Sequence, residues 1–329
     1  MLINAFRIDE DKISKLCEII RKDVADSEDK LIFEVLLPFS NEARLIKSII
    51  DSFKEEVREM IRRGGVRELM CNMLELFYVI NKISDIEEHN ITLDNIKSEL
   101  STKLSVKDRE KIKDDAKKVS DILITSRNCV KIFDEARRIG LKDRISQMFV
   151  YVLDRVLRGT ELELASIEKV PPHIDIHIIK VFLRMGIIVP VREVLNRYAG
   201  ESKYIVRILP VCAKLAPDEP FKTIWDVLRR KCIDVFGMLR DSLNMSQIAL
   251  SIYLSMIGRR FCIFNDDVKA RDDYCPVKGL ITCPLSQACS SYLGDNRILI
   301  FSRRQMRLVL RFFNAPRSII ENSCECLLI

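Results

Sequence analysis

Glycine and proline are scarce in this chain, which has only ten of each among its 329 residues. Both residues form turns, so folds built from many short strands need them often. The chain instead has long stretches in which apolar residues recur every three or four positions, as in 41–63. The scarcity and this periodicity together predict an all-α fold.

Long apolar runs are also missing, since none reaches the ~18–20 residues that a transmembrane helix needs. The first residues, MLINAFRIDEDK, lack the charged and apolar segments of a signal peptide. We therefore expect an intracellular protein, cytoplasmic or nuclear, in a reducing compartment and with no membrane partner. In such a compartment the eleven cysteines more often bind metal than form disulfides.

The sequence has no repeat of fixed period, so we infer the domain boundaries from changes in composition along the chain. The range 90–123 is polar and rich in charge, the apolar density then rises, and 258–295 is irregular. We predict a helical N-terminal region of unassigned role at 1–120, a helical core at 121–257, and a cysteine loop with a last helix at 258–329. Ser105 has the pattern of a helix cap, and Gly140 and Gly159 have that of helix ends.

Four cysteines lie in the irregular segment with the spacing C-x12-C-x7-C-x5-C; they are Cys262, Cys275, Cys283 and Cys289. Prolines and glycine between them predict a loop, in which thiolates can converge while backbone amides stay free to donate to sulfur. Structural zinc sites usually use close C-x2–4-C pairs, and this segment has none. A four-cysteine iron–sulfur cluster, a zinc ion and buried cysteines without a ligand all remain open.

The end of this segment, CPLSQAC, resembles the end of the cluster loop in the endonuclease III and adenine mismatch glycosylase family. That family has the pattern C-x6-C-x2-C-x5-C; the last interval matches here and the first two do not. The resemblance implies a [4Fe–4S] cluster, with zinc as the alternative cofactor.

A second notable segment is EKVPPHIDIHIIKVFLRMGI at 168–187, where Asp175 lies between His173 and His177. Two prolines fix an extended approach, and an apolar helix follows. An acid at the start of a helix faces the positive end of the helix dipole, which favours the ionised form. Asp175 is therefore either a capping acid or a catalytic carboxylate. The helix offers only these two histidines and no third metal ligand, so we do not expect them to bind metal.

This segment resembles the V-D-T-H-x-x-R-V-x-x-R element of helix-hairpin-helix DNA glycosylases, with Lys180 and Arg184 at the basic positions. It is also similar to an element of the archaeal 8-oxoguanine glycosylases. The resemblance implies a helix-hairpin-helix glycosylase-like helical fold with a C-terminal four-cysteine loop, DNA as the partner and Asp175 as the catalytic acid. It implies a base-excision N-glycosylase that acts on a flipped damaged or modified base, with or without lyase activity.

Two other functions stay open. One is an N-glycosidase of the same fold that acts on a free modified nucleoside or nucleotide. The other is a non-catalytic iron–sulfur protein that binds nucleic acid, which the absence of the family's Gly-x-Gly hairpin favours. The nearest counterpart of that hairpin is RRIGLKDRIS, in which Lys142 is the candidate Schiff-base nucleophile and Arg144 the cation that would activate it. A solvated lysine at a helix start is the alternative for Lys142.

The net charge of +6 permits an anionic partner without requiring one. Two arginines lie just ahead of the first cysteine of the loop, and others recur near the C-terminus, where Arg303, Arg307 and Arg311 share one predicted helix face. Together with Arg144, the candidate nucleic-acid contacts are Arg259, Arg260, Arg303, Arg304 and Arg307. A solvated basic face is the alternative, and nothing in the sequence indicates an oligomeric state.

Overall fold

The helices of this protein account for most of its structure. A computed structural model of the chain describes residues 2–24, 28–38, 40–83, 91–198, 208–210, 220–221, 223–264, 275, 283–293, 295, 298–302 and 326–328. It is 73% helical with few strands, which confirms the all-α prediction.

The described α-helices are α1 (Glu10–Val24), α2 (Glu28–Lys30), α3 (Asn41–Arg62), α4 (Val66–Lys82), α5 (Leu93–Lys103), α6 (Val106–Ser126), α7 (Cys129–Arg138), α8 (Asp143–Leu157), α9 (Ile176–Met185), α10 (Arg192–Tyr198), α11 (Ile224–Leu243), α12 (Gln247–Arg260) and α13 (Ser290–Leu293). Two 3-10 turns (Leu2–Ala5, Ile167–Lys169) and a π-helical turn (Leu31–Val35) accompany them. The described strands are β1 (Phe6–Ile8), β2 (Ile188–Pro190), β3 (Ile208–Pro210), β4 (Leu299–Phe301) and β5 (Cys326–Leu328).

Local sequence signals set several helix boundaries. Ser105 caps α6 by accepting from the N–H of Asp108, whose carboxylate accepts from the Ser105 N–H in return. Gly140 follows α7 with a φ of +105°, and Gly159 follows α8 with a φ of +74°. Both angles favour glycine because it has no Cβ. The predictions at these three positions are confirmed.

The chain forms two compact units, and each draws on separate stretches of sequence. The first unit contains Met1–Ala25, Ile174–Asn244 and Leu254–Ile329, and the second contains Asp26–His173 and Met245–Tyr253. This grouping cuts across the linear ranges 1–120, 121–257 and 258–329. The N-terminal residues belong to the first unit because β1 pairs antiparallel with β2, from Phe6 opposite Pro190 to Ile8 opposite Ile188.

In the first unit, α1 packs against α11, and α9 packs against α11 and α13. A small antiparallel sheet has the order β3-β5-β4. The core of this unit includes Phe182 and Phe236, whose rings meet edge to face at 5.7 Å. The helix α9 therefore lies among apolar neighbours over most of its length.

In the second unit, α8 packs against α3 and α7, and α4 packs against α6. Arg155 of α8 is only 1% exposed and pairs with Glu28, Asp29 and Asp154. Its guanidinium lies 4.4 Å from the ring centroid of Tyr151. Such a buried cation is tolerated because acids surround it. Among the described helices, none has both the length and the apolar content to cross a membrane.

Candidate functional site

Asp175 is the N-cap residue of α9, so the helix begins where the sequence predicts. One carboxylate oxygen of Asp175 accepts from the N–H of Ile178 at 2.9 Å. The backbone at Asp175 is extended, with φ −105° and ψ 174°. The side chain therefore lies at the positive end of α9, where a negative charge is stabilised.

The extended segment that ends at His173 belongs to the second unit, and side chains of that same unit hold it in place. Gln147 donates to the carbonyl oxygen of Pro171 at 2.5 Å. Ser251 donates to the carbonyl oxygen of His173 at 3.0 Å. Gln147 and Ser251 are both 2% exposed, and these bonds satisfy carbonyls that an extended segment leaves without helix partners.

The other carboxylate oxygen of Asp175 faces α12. The hydroxyl of Ser255 donates to it at 2.7 Å, and the guanidinium of Arg259 lies 4.0 Å from it. The Asp175 side chain is 12% exposed. This carboxylate is thus largely covered, and a hydroxyl, an amide and a cation surround it.

Cys232 of α11 also lies close to this carboxylate. Burial raises the pKa of the Cys232 thiol well above its usual range, and the negative charge of Asp175 raises it further. Cys232 is 0% exposed. We therefore expect a neutral, unreactive thiol beside Asp175.

The last turn of α9 contacts two segments that carry predicted cluster cysteines. Arg184 is 1% exposed and donates to the carbonyl oxygen of Ile263, the residue after Cys262. The thiol of Cys289 donates to the carbonyl oxygen of Arg184 at 3.5 Å. The hydroxyl of Ser290 donates to the carbonyl oxygen of Met185 at 2.9 Å. One helix therefore carries Asp175 at its start and these contacts at its end.

All four cysteines of the predicted loop are buried in the first unit, with exposures from 6% to 8%. Burial raises the pKa of Cys283, and negative charge on Cys262, Cys289 and Cys275 raises it further. Burial likewise raises the pKa of Cys289 to about 12, and Cys262 and Cys275 add to the effect. The four sulfurs are thus near enough for their charges to interact.

Backbone amides act against the effect of burial at two of these thiols. The amide of Leu285 acts to lower the pKa of Cys283, and those of Tyr292 and Ser291 act to lower the pKa of Cys289, but burial outweighs them and both pKa values are raised overall. Donors of this kind stabilise the thiolate form, which is the form that binds metal.

Within the described residues, no three histidine, cysteine, aspartate or glutamate side chains come together so that they could hold a metal ion. Charges interact over longer distances than a metal bond, which is ~2.3 Å for zinc and sulfur. The four thiols therefore influence one another's pKa, but no three of them form a group that could hold a metal ion.

Lys142 and Arg144 lie in the second unit, whereas Asp175 lies in the first. Lys142 is the exposed N-cap of α8, and its backbone N–H donates to the side chain of Asn81 at 2.9 Å. Arg144 forms an ion pair with Glu42, which is only 2% exposed. A guanidinium that neutralises a buried acid is less available for a phosphate.

The other predicted nucleic-acid contacts differ in exposure. Arg260 is exposed at the end of α12, while only 21% of the Arg259 side chain is exposed. Arg303, Arg304 and Arg307 lie outside the described residues.

Sequence reasoning missed Ser255 and Cys232 as neighbours of Asp175. Both lie on helices that follow Asp175 by more than fifty residues, and each is an ordinary residue of an amphipathic helix. The one available signal was the pair of small residues Ser251 and Ser255, four apart on an otherwise apolar helix.

No protein-family profile, curated protein or solved structure matches the chain.

Proposed function

We propose that this protein is a DNA N-glycosylase that removes a flipped, modified base, with Asp175 as the catalytic carboxylate. The observation that carries this proposal is the placement of Asp175. It caps an apolar helix, an amide and a hydroxyl hold its two oxygens, and its side chain is mostly covered. An oriented carboxylate of this kind stabilises positive charge that develops on a sugar.

In the proposed reaction, the bond between C1′ and the base nitrogen breaks, and the base leaves with the bonding electrons and takes a proton from solvent, to which Asp175 later returns the proton that it accepts. Positive charge develops at C1′, where the Asp175 carboxylate stabilises it. A water oxygen then bonds to C1′ and gives up a proton, for which Asp175 is the acceptor. The exposed position of Lys142 provides no desolvation, which an amine nucleophile requires, so we favour water as the nucleophile.

We further propose that the four cysteines hold one [4Fe–4S] cluster. The supporting observations are their burial, the interaction of their charges and the backbone amides that favour the thiolate form of Cys283 and Cys289. A multi-iron cluster accepts thiolates that are spread more widely than those of one zinc ion. When bound, the cluster would hold the loop together, and its thiolates would come from Cys262, Cys275, Cys283 and Cys289.

Base release under single-turnover conditions tests the glycosylase proposal. The substrates are duplexes that each carry one modified or mispaired base, with 8-oxoguanine and mispaired adenine among them. We expect wild-type protein to release a base and Asp175→Asn to release it at least ~100-fold more slowly, since the variant lacks the charge that the transition state needs. Asp94→Asn, which alters an exposed acid in the first turn of α5, serves as the matched control.

Three outcomes separate the alternatives. Release from free nucleosides but not from duplexes would indicate the small-molecule glycosidase. Salt-dependent duplex binding without release of any base would indicate a non-catalytic binding protein. A borohydride-trapped DNA adduct that disappears in Lys142→Gln would overturn the proposal that water is the nucleophile, and it would identify Lys142 as the nucleophile.

A further inference from the structure

One face of α12 meets the start of α9 and supplies two side chains to Asp175. Ser255 and Arg259 are four residues apart, so they lie on the same face of the helix. Ser255 is 4% exposed, and Arg259 is 21% exposed. Both side chains are therefore more buried than the residues of a solvated basic face would be.

Gly258 brings the two helices together on this face. A Cβ atom at Gly258 would lie 2.3 Å from the carbonyl oxygen of His177 and 2.8 Å from its Cβ. Any side chain at this position would collide with the first turn of α9. Because Gly258 has no side chain, the backbone of α12 can pack directly against α9. The Ser255 hydroxyl then lies 2.7 Å from a carboxylate oxygen of Asp175.

The charges around Asp175 come from several elements. From α12 the cation is Arg259, and from α11 the neighbour is the Cys232 thiol, which also interacts with Arg229 and Asp234. On α9 itself, His177 is two residues away, and Lys180 lies farther along with its Nζ 4.1 Å from the ring centroid of Phe264. His173 precedes Asp175 in the extended segment. Among these groups, Arg259 has its guanidinium 4.0 Å from the carboxylate, within ion-pair distance.

We propose that Ser255 and Arg259 are positioning residues for Asp175, and that Arg259 serves the carboxylate and does not bind a DNA phosphate. Ser255 fixes the direction of one carboxylate oxygen, and Arg259 favours the ionised form. This inference rests on the proposed function in that Asp175 is the catalytic group, but the contacts themselves do not depend on the reaction. It is an alternative to the sequence-based prediction that Arg259 contacts nucleic acid.

A direct test compares how the Asp175 carboxyl group titrates in different variants. Protein labelled with ¹³C at the aspartate carboxyl carbons gives one resonance that is missing in Asp175→Asn, which assigns it. In Arg259→Gln we expect this resonance to titrate about one pH unit higher than in wild type, because losing a neighbouring cation disfavours the charged form. Arg259→Lys keeps the charge and should restore most of the shift. Arg230→Gln removes an exposed arginine of α11 and should leave the titration unchanged.

Ser255→Ala is the second variant, because it removes a single oxygen and leaves the fold intact. It should move the same resonance upward, since a hydrogen bond to the charged form is lost. If neither Arg259→Gln nor Ser255→Ala moves the resonance, the positioning role is overturned, whether or not the protein releases a base.

Kinetics then separate the two roles of Arg259. A positioning role predicts that Arg259→Gln lowers the single-turnover rate about tenfold and moves the acid side of the pH–rate profile to higher pH, with DNA affinity and its salt dependence unchanged. A phosphate-contact role predicts weaker DNA binding, a salt slope reduced by about one and an unchanged pH profile. The second result would overturn the proposal. If wild type releases no base, the proposed function fails while the carboxyl titration still decides the positioning role.

Discussion

Two helical glycines of this protein have opposite surroundings. Gly258 of α12 faces the backbone of His177, and a Cβ atom there would lie 2.3 Å from the carbonyl oxygen. At Gly237 of α11, a Cβ atom would meet nothing within 4 Å. Packing explains the first glycine. The second lowers the stability of its helix, and no close contact requires a glycine there.

These surroundings predict opposite effects of the same substitution. Gly258→Ala should lower the free energy of unfolding by about 2 kcal/mol, because the collision outweighs the gain in helix propensity. Gly237→Ala should raise it by about 0.5–1 kcal/mol through helix propensity alone. Urea denaturation of the two variants and of wild type checks both values. Equal and favourable effects would show that α12 does not approach α9 as described.

Residue patterns predicted the cap positions but not the surroundings of the candidate site. Ser105, Gly140 and Asp175 were predictable because a cap depends on residues within one helical turn. Ser255 and Cys232 were not, because only the packing of α9 against helices distant in sequence brings them to Asp175. The difference in exposure between Arg259 and Arg260 likewise depends on which side of α12 meets α9.

At the scale of elements, a buried acid joins α6 to α4. Asp115 of α6 is 2% exposed and accepts from the hydroxyl of Tyr78 on α4 at 2.6 Å. Lys111 and Lys118 donate to it at 2.9 and 3.0 Å. Burial acts to raise the pKa of Asp115, but the hydrogen bonds from Tyr78, Lys111 and Lys118 outweigh it, so the pKa is lowered overall.

The lowered pKa of Asp115 determines how its contribution to the unfolding free energy changes with pH. Because the pKa of Asp115 is lower in the folded state, its stabilising contribution is present above the unfolded value of ~3.9 and is lost as the pH falls. Wild type should therefore exceed Asp115→Asn in unfolding free energy at pH 7, and the difference should shrink as the pH falls below about 4. Denaturant titrations at several pH values provide the measurement. A difference that stays constant down to pH 3 would contradict the charged role of Asp115.

For the molecule as a whole, the chain begins in its first unit and returns to it twice. Composition alone suggested a linear order of parts, because it registers where charge and apolar density change. The pairing of β1 with β2 joins residues about 180 positions apart, and no local pattern indicates such a partner. The arrangement nevertheless groups Asp175 and the four cysteines in one unit, which the proposed function requires.

The resemblance to glycosylases depends most on the proposed iron–sulfur cluster. Protein purified without oxygen should be brown, with broad visible absorption and about four irons per chain, as a thiolate-bound [4Fe–4S] cluster requires. Cys283→Ser should lose the colour, whereas Cys71→Ser, which alters a cysteine outside the loop, should keep it.

The absorbance spectrum of the anaerobically purified chain, read together with its metal content, is therefore the decisive experiment. We expect iron-dependent visible absorption that requires Cys262, Cys275, Cys283 and Cys289. A colourless protein with one zinc per chain, or with no metal, would contradict it.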